Sequence, residues 1–525
     1  MSRSSCPLLT VFPFAMVPLI AGSCDRPEKN PAPNILIAIA DDQSYPFASY
    51  YGTAGVRTPG FDGIAQRGVC FDHAYATSPG SSPSRASLLT GLYPWQIEEA
   101  GTHASSFPAK YLCFPEFFVR SGYKTGYTGK GWGPGDWKIS GGTENPAGPE
   151  YNAIRLDPPY PSISDIDYTA NFASFLDGLE DGQPFCFWYG AREPHRPYTF
   201  GSGRDAGLDP GRIQVPSDLP DADEIRTDLA DYAFEIEWFD AHLQSILSVL
   251  KTRGMLENTI VIVTADNGMP FPHAKANCYD AGIHVPLAIC WGKRIRCHGL
   301  ESQIVSLVDI FPTLLELCGI EWKESYSLSG NSLVPLLMGG KHSAPFRPAS
   351  LAGRERHSSA RPGNQGYPSR SIRTGQWLLI RNFHPERWPA GDPLMEGADG
   401  PYAGFFDIDP SPTLRYLIDR QEDTLTLPFF GMAIGKRLEY ELYDIEEDPA
   451  CCRNLYTDPA FSAIADSLRA KLLRALEDTG DSRLGPDPEI WESYPRLAGP
   501  IRSFPADSTN SFGDMPNCCW KHLAK

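Results

Sequence analysis

Asn34-Ile35-Leu36-Ile37-Ala38-Ile39-Ala40, followed at once by Asp41-Asp42, is the stretch that sets the fold. The run is apolar without alternation, as expected for a strand buried on both faces of a helix-covered parallel sheet. Two later runs repeat the arrangement. Thr259-Ile-Val-Ile-Val-Thr264 leads into Asp266-Asn267-Gly268, and Pro184 to Tyr189 leads into Arg192-Glu193-Pro194-His195. Ligand sites of parallel α/β sheets form beyond the carboxyl ends of the strands. Three buried strands that each end in polar residues therefore place one site along one sheet edge. Between them, Asp231 to Leu250 carries Ile236, Phe239, Leu243, Leu247 and Leu250 at helical spacing, closed by Gly254.

The bulk properties agree with a large globular chain. There are 525 residues, 42% hydrophobic and 21% charged, enough for one large domain and a smaller one. Past about residue 365 the pattern changes. Ser371 to Asn382 and Tyr440 to Ile445 read as strands of a smaller sheet, and Asp458-Pro459 opens a helix with Phe461, Ile464, Leu468, Leu472 and Leu476 on one face. The expected division is a catalytic domain over 34–365 and a C-terminal α+β subdomain over 366–525. A formal charge of −18 disfavours a nucleic-acid partner, so any anionic ligand requires a local basic pocket.

The first 33 residues read as an export segment. Arg3, the apolar run Pro7 to Ile20 and Ala21-Gly22-Ser23-Cys24 form a charged start, an apolar core too short to span a bilayer and a small-residue cleavage site. The favoured reading is a lipoprotein signal over 1–23 with Cys24 lipidated and a tether over 24–33, placing the protein in the periplasm or at the cell surface, membrane-bound only through its lipid. An ordinary secretory signal is the alternative. Of the 13 cysteines, Cys70, Cys113, Cys186, Cys290 and Cys318 lie in apolar runs and read as buried thiols. Cys451-Cys452 and Cys518-Cys519 are late pairs available for a disulfide across the C-terminal region, with connectivity open. No CxxC pair occurs, which disfavours a structural zinc site.

Asp41-Asp42 and Asp266-Asn267 are each ordinary turn residues in isolation. Together they offer four oxygen ligands from two strand ends, with Ser81 as a fifth. An all-oxygen set suits a hard cation, calcium first and magnesium as the alternative. Ser81 opens Ser81-Ser82-Pro83-Ser84-Arg85-Ala86-Ser87-Leu88-Leu89-Thr90-Gly91 and precedes a helix-like stretch from Ser84 to Leu89, whose N-terminus would favour an anion.

This pattern resembles the signature of the type I sulfatases, and the likeness covers nearly the whole chain. Asp41-Asp42, Ser81 to Gly91, Gly129-Lys130, His195 and Asp266-Asn267 fall in the family's order. Glu441-Leu442-Tyr443-Asp444, Asp448-Pro449 and Asn454-Leu455 are similar to its C-terminal strand region. Thr264 to Pro272, Pro194-His195-Arg196 and Ser411-Pro412-Thr413 are similar to the heparan N-sulfatases (N-sulfoglucosamine sulfohydrolases). The resemblance implies an alkaline-phosphatase-like α/β sandwich with a large, mostly parallel sheet and a smaller antiparallel one. It implies conversion of Ser81 to formylglycine (3-oxoalanine) by a maturation enzyme, with calcium held by Asp41, Asp42, Asp266, Asn267 and position 81. It assigns Lys130 and Lys275 to the sulfate, Arg85 to the modified residue or a sulfate oxygen, and His195 to the leaving group or the aldehyde. One hydroxyl of the aldehyde hydrate attacks sulfur and the other expels sulfate. Glu355, Arg356, His357 and Arg370 are candidates for contacts to the glycan, with solvated loop charges as the alternative. His103 is left unassigned. Many of these enzymes carry a His two places after the lysine, whereas Gly129-Lys130-Gly131-Trp132-Gly133 has none, which opens the general-acid assignment.

The implied activity is removal of N- or O-sulfate from glycans such as heparan sulfate fragments. The rivals are a phosphatase or phosphonate monoester hydrolase of the same superfamily and a non-catalytic glycan-binding lipoprotein.

Overall fold

The structure, a computed structural model, describes Met1 and residues 31–339, 345–391 and 404–499. Cys24, the signal segment and Cys518-Cys519 lie outside the described residues.

The strands in chain order are β1 (Asn34–Ala40), β2 (Val69–Phe71), β3 (Ala74–Tyr75), β4 (Lys124–Gly129), β5 (Phe185–Gly190), β6 (Thr259–Ala265), β7 (Leu287–Cys290), β8 (Gly299–Glu301) and β9 (Val305–Ser306). Seven of them form the central sheet in the order β4-β5-β1-β6-β7-β2-β8, and β3 pairs with β9. β4, β5, β1 and β6 run parallel, while β7 runs antiparallel to both β6 and β2. All residues of β1, β5 and β6 are buried, as expected of strands whose interiors are apolar without alternation.

Register brings the chemistry level. Ile39 pairs with Gly190 and Ala40 with Ala265, so the residues after β1, β5 and β6 emerge side by side. At β4 the close approach demands glycine. Gly129 sits at φ +81°, and a Cβ there would lie 1.9 Å from the Gly190 carbonyl oxygen. The helix Asp223–Thr252 covers this half of the sheet with Ile236, Phe239, Leu243, Ile246 and Leu250 buried. Among the described residues no helix is long and apolar enough to cross a membrane.

The second sheet joins β10 (Ser350–Arg354), β11 (Ser369–Arg373), β12 (Trp377–Asn382) and β13 (Tyr440–Asp444), all antiparallel. It departs from the sequence expectation in two ways. Its first strand precedes residue 365, because Ser350–Arg354 pairs along the whole of β11. The stretch from Ser371 to Asn382 is a hairpin rather than one strand, turned by Thr374, whose N–H bonds to the Trp377 carbonyl. The helix Ser462–Asp478 closes this sheet with Ala465, Leu468, Leu472 and Leu476. Arg373 to Asp280 at 2.7 Å and Tyr279 to Glu441 at 2.8 Å tie the two sheets together beside the strand ends.

Cys70, Cys113, Cys186 and Cys290 are buried free thiols, and Cys318 is half-buried. Burial pushes the Cys70 thiol up to about 12 and Cys290 to about 11, which makes both poor nucleophiles.

Candidate active site

Ser81 is the first residue of the helix Ser81–Thr90 and does not precede it. Every residue of that helix is buried, because it runs into the core under the strand ends. Gly80 caps it in extended conformation, and a Cβ there would stand 3.1 Å from His357 Nδ1. The glycine thus lets an imidazole lie against the helix start.

The strand ends close around Ser81. Its hydroxyl donates to Asp41 Oδ1 at 3.0 Å and approaches Asn267 Oδ1 at 3.4 Å. The Asp42 N–H donates to Asp266 Oδ1 at 3.0 Å, and Asn267 Nδ2 donates to Asp42 Oδ1 at 2.8 Å. Asp42 holds a positive φ of 72°, a strained setting that aims its carboxylate into the ring. Carboxylate oxygens of Asp41, Asp42 and Asp266 lie within 4.8 Å of one another, a group able to hold a metal ion. With the Asn267 and Ser81 oxygens beside them, the donors are all hard, which fits calcium or magnesium and not a thiolate-seeking metal.

Three cations answer the three acids. Lys130 Nζ donates to both oxygens of Asp41 at 2.7 Å, and Lys275 Nζ to Asp42 at 2.6 Å and Asp409 at 2.8 Å. Arg85 is fully buried. Its Nε donates to Asp266 at 2.7 Å, its Nη1 to the Lys130 and Gly131 carbonyls, and its Nη2 has no hydrogen-bond partner, lying 3.5 Å from Asp41. Burial alone would raise the Asp41 pKa, but Lys130, Arg85 and His195 outweigh it and hold Asp41 ionised well below the usual range. Burial lifts Asp266 despite Arg85. For Lys275 burial is overcome by Asp409 and Asp42, which keep the ammonium charged. A second acidic group, Asp42, His195 and Asp409, lies beside the first. The Lys275 ammonium bonds to both of its carboxylates, so that place already holds a charge.

His195 Nδ1 lies 2.6 Å from the Arg196 carbonyl, which can only accept, so Nε2 is left as the working nitrogen, 3.8 Å from Asp42. Arg196 forms two 2.7 Å bonds to Asp228, and Thr413 Oγ1 donates to the same carboxylate at 2.6 Å. The Pro194-His195-Arg196 and Ser411-Pro412-Thr413 motifs, far apart in sequence, therefore meet at Asp228, which locks the loop that carries His195.

These groups open into a cavity of about 1110 Å³, lined among others by Asp41, Ser81, His103, Lys130, His195, Lys275, His357, Asp409 and Arg496. Of the residues expected to touch glycan, only His357 lines it. Arg370 is buried in ion pairs to Asp481 at 2.6 Å and Glu355 at 2.7 Å, and Glu355 also pairs with Arg483 at 2.6 Å. Arg356 is capped by the Tyr494, Pro495 and His103 carbonyls. Glu355 and Arg370 therefore satisfy each other inside the protein, together with Asp481 and Arg483, and do not face the cavity; Arg356 also lies off the cavity, held by carbonyls with its Nε unpartnered. His103, the unassigned pocket candidate, lines the cavity, and so do Asp409 and Arg496, which sequence reasoning missed. His103, in Gly101-Thr102-His103, stacks on His357 with ring centres 4.4 Å apart, and burial beside His357 and Arg496 holds it neutral. The signal for Asp409 was its place just ahead of Ser411-Pro412-Thr413; Arg496 had none.

The sulfatase family profile matches residues 33–320, and the profile of the C-terminal part of N-sulphoglucosamine sulphohydrolase matches residues 273–390. The chain is 28% identical to N-sulphoglucosamine sulphohydrolase of Homo sapiens over 539 residues, covering 92% of this chain and 97% of that protein. It is 24% identical to an ulvan-active sulfatase of Formosa agariphila over 522 residues, 93% and 82% of the two chains. Among solved structures, a protein in complex with its substrate D-glucosamine-2-N,6-O-disulfate matches with a TM-score of 0.62 at 21% identity, covering 87% of this chain and 100% of that one.

Proposed function

The chain belongs to the sulfatase family and is a sulfatase, and from that premise we propose that it removes sulfate from glycosaminoglycan-type saccharides, with the N-sulfate of a terminal glucosamine as the substrate bond. The observation that carries this is the Ser81 hydroxyl, set at a helix start 3.0 Å from Asp41 inside a ring of three carboxylates and three cations. Relatedness to a sulfohydrolase of N-sulfated glucosamine along almost the whole chain supports the finer choice of bond.

We take Ser81 to be converted to formylglycine, whose hydrate would supply one hydroxyl to attack sulfur as the sugar amine or hydroxyl departs, and a second whose loss of a proton would expel the sulfate held on the first and restore the aldehyde. Asp41, Asp42, Asp266 and Asn267 would hold a calcium ion, with magnesium as the alternative, to neutralise charge on the transferring group. The remaining work belongs to side chains already in place. Arg85, fixed by Asp266 and two carbonyls, keeps one N–H free toward the Ser81–Asp41 corner. Lys130 and Lys275 flank the ring from opposite acids and offer ammonium donors to sulfate oxygens. His195, with Nδ1 committed to a carbonyl, presents Nε2 to give a proton to the departing amine or hydroxyl.

The deciding measurement uses protein from a host that oxidises serine at this motif. Sulfate release from N-sulfoglucosamine and a peptide mass about 2 Da below the serine form at position 81 are expected. Turnover by protein carrying only unmodified Ser81 would sink the mechanism; release from O-sulfated but not N-sulfated sugars would move the substrate bond. Export as a lipoprotein anchored at Cys24 rests on residues 1–24 alone, and loss of palmitate labelling in Cys24→Ala is the result it requires.

A further inference from the structure

Five lysine or arginine side chains line the cavity, and three of them are committed. Lys130 is paired with Asp41, Lys275 with Asp42 and Asp409, and Arg196 with Asp228. Arg192 and Arg496 have no carboxylate within ion-pair distance among the described residues. Arg192 is exposed and keeps its hydration. Arg496 is different: it is only partly exposed, its Nη1 donates to the His357 carbonyl at 2.8 Å, and its Nε is buried without a partner. A guanidinium withdrawn from water without an opposing charge is costly, and such groups are usually paired.

The surroundings sharpen the imbalance. Arg356 lies close enough to Arg496 for the two charges to repel, and it too is met only by carbonyls. Burial lowers Arg496, with Asp407 as the only offsetting charge, and Asp407 is already shared by Arg354 and Arg361. Nor is Arg496 on a loose end. The Leu497 N–H donates to the Ala104 carbonyl at 2.6 Å, and Arg356 holds the carbonyls of Tyr494 and Pro495 on the other side. The chain is fixed on both flanks with the guanidinium against the cavity wall, beside the His103–His357 stack that borders Ser81.

We propose that Arg496 is a specificity residue that binds a second anionic group of the saccharide, a carboxylate or a sulfate other than the one removed. This rests on the sulfatase reading above. It implies a preference for saccharides carrying two anionic groups, with the added group reaching the wall formed by His357 and Arg496.

The test compares wild type with Arg496→Gln and Arg496→Lys on three substrates: N-sulfoglucosamine, D-glucosamine-2-N,6-O-disulfate, and a disaccharide joining N-sulfoglucosamine to a uronate. Arg496→Gln should lower kcat/KM about 10-fold or more on at least one doubly anionic substrate and by no more than about 2-fold on the monosulfate, the scale of one charge-assisted hydrogen bond. Arg496→Lys should recover part of the loss, and the substrate that responds identifies sulfate or carboxylate. Equal losses on all three, or no loss on any, overturn the proposal. Binding of the same three sugars to Ser81→Ala and to Ser81→Ala/Arg496→Gln, by calorimetry, reads Arg496 without turnover. A wild type that releases no sulfate while Arg496 still discriminates in binding would refute the reaction and keep the subsite.

Discussion

Replacing Arg370 by Met separates a buried ion network from a glycan contact. Arg370 donates to Asp481 at 2.6 and 3.1 Å, to Glu355 at 2.7 Å, and to the Arg354 and Ser369 carbonyls. After the substitution Glu355 keeps Arg483 at 2.6 Å, but Asp481 keeps only the Arg483 backbone N–H at 3.0 Å. One fully buried carboxylate is thus stranded, and removing a single partner of such a pair costs about 3–5 kcal/mol. Unfolding in urea followed by tryptophan emission is a suitable assay, since the guanidinium lies 5.1 Å from the Trp95 ring. The midpoint should fall sharply, and Arg370→Met/Asp481→Asn should regain most of the loss because the stranded charge is gone. KM of the folded enzyme should stay within about 2-fold. A stability change under about 1 kcal/mol, or a KM that rises while stability holds, would refute the structural assignment and restore Arg370 as a substrate contact.

Asp218 is buried and its carboxyl is pushed up to about 7, first by burial and then by Asp448. A folded pKa above the unfolded 3.8 means that the folded state binds the extra proton, so its contribution to stability falls as pH rises from about 4 to 7. Asp218→Asn should match wild type near pH 4 and exceed it increasingly up to pH 7, by on the order of 4 kcal/mol at most; a constant gap across that range would refute the shift. Metal removal should lower the melting temperature in a calcium-reversible way, and Asp42→Asn should blunt that calcium response. A melt indifferent to both chelator and calcium would count against the carboxylate ring as a cation site.

The sequence disclosed the parts of the site that sit at strand ends. β1, β5 and β6 have apolar interiors, so their ends and the polar residues after them could be located without coordinates, and parallel register then places Asp41, Glu193 and Asp266 together. The cavity wall was less legible. Asp409 and Arg496 sit on loops whose positions depend on contacts across hundreds of residues, such as Lys275 to Asp409 and Arg356 to Pro495. Charge alone also misled: Glu355 and Arg370 look like binding residues in a linear reading, and only burial reveals that they satisfy one another, with Asp481 and Arg483. Strand β10 escaped notice because Ser350-Leu-Ala-Gly-Arg354 lacks the branched and aromatic residues that mark strands, and its pairing with β11 supplies what its composition does not.

A chain of charge −18 that handles sulfate must keep its field away from the site. At the strand ends Asp41, Asp42 and Asp266 face Lys130, Lys275 and Arg85, and Asp228 is matched by Arg196. Burial raises Glu193 and Glu235, both in the cavity lining, which shifts them toward the uncharged form. Arg192 and Arg496 add two positive charges to this lining, which also holds Asp165 and Asp409. This has a kinetic signature. If the global charge governed encounter, screening would relieve repulsion and kcat/KM for a sulfated saccharide would climb several-fold as NaCl rises from about 20 to 150 mM, where the Debye length falls to about 8 Å. If the local balance governs, kcat/KM stays level or falls, because added salt weakens only attraction. A steep rise with salt would show that the paired acids still project their charge into the cavity, and the electrostatic account of the site would fail with it.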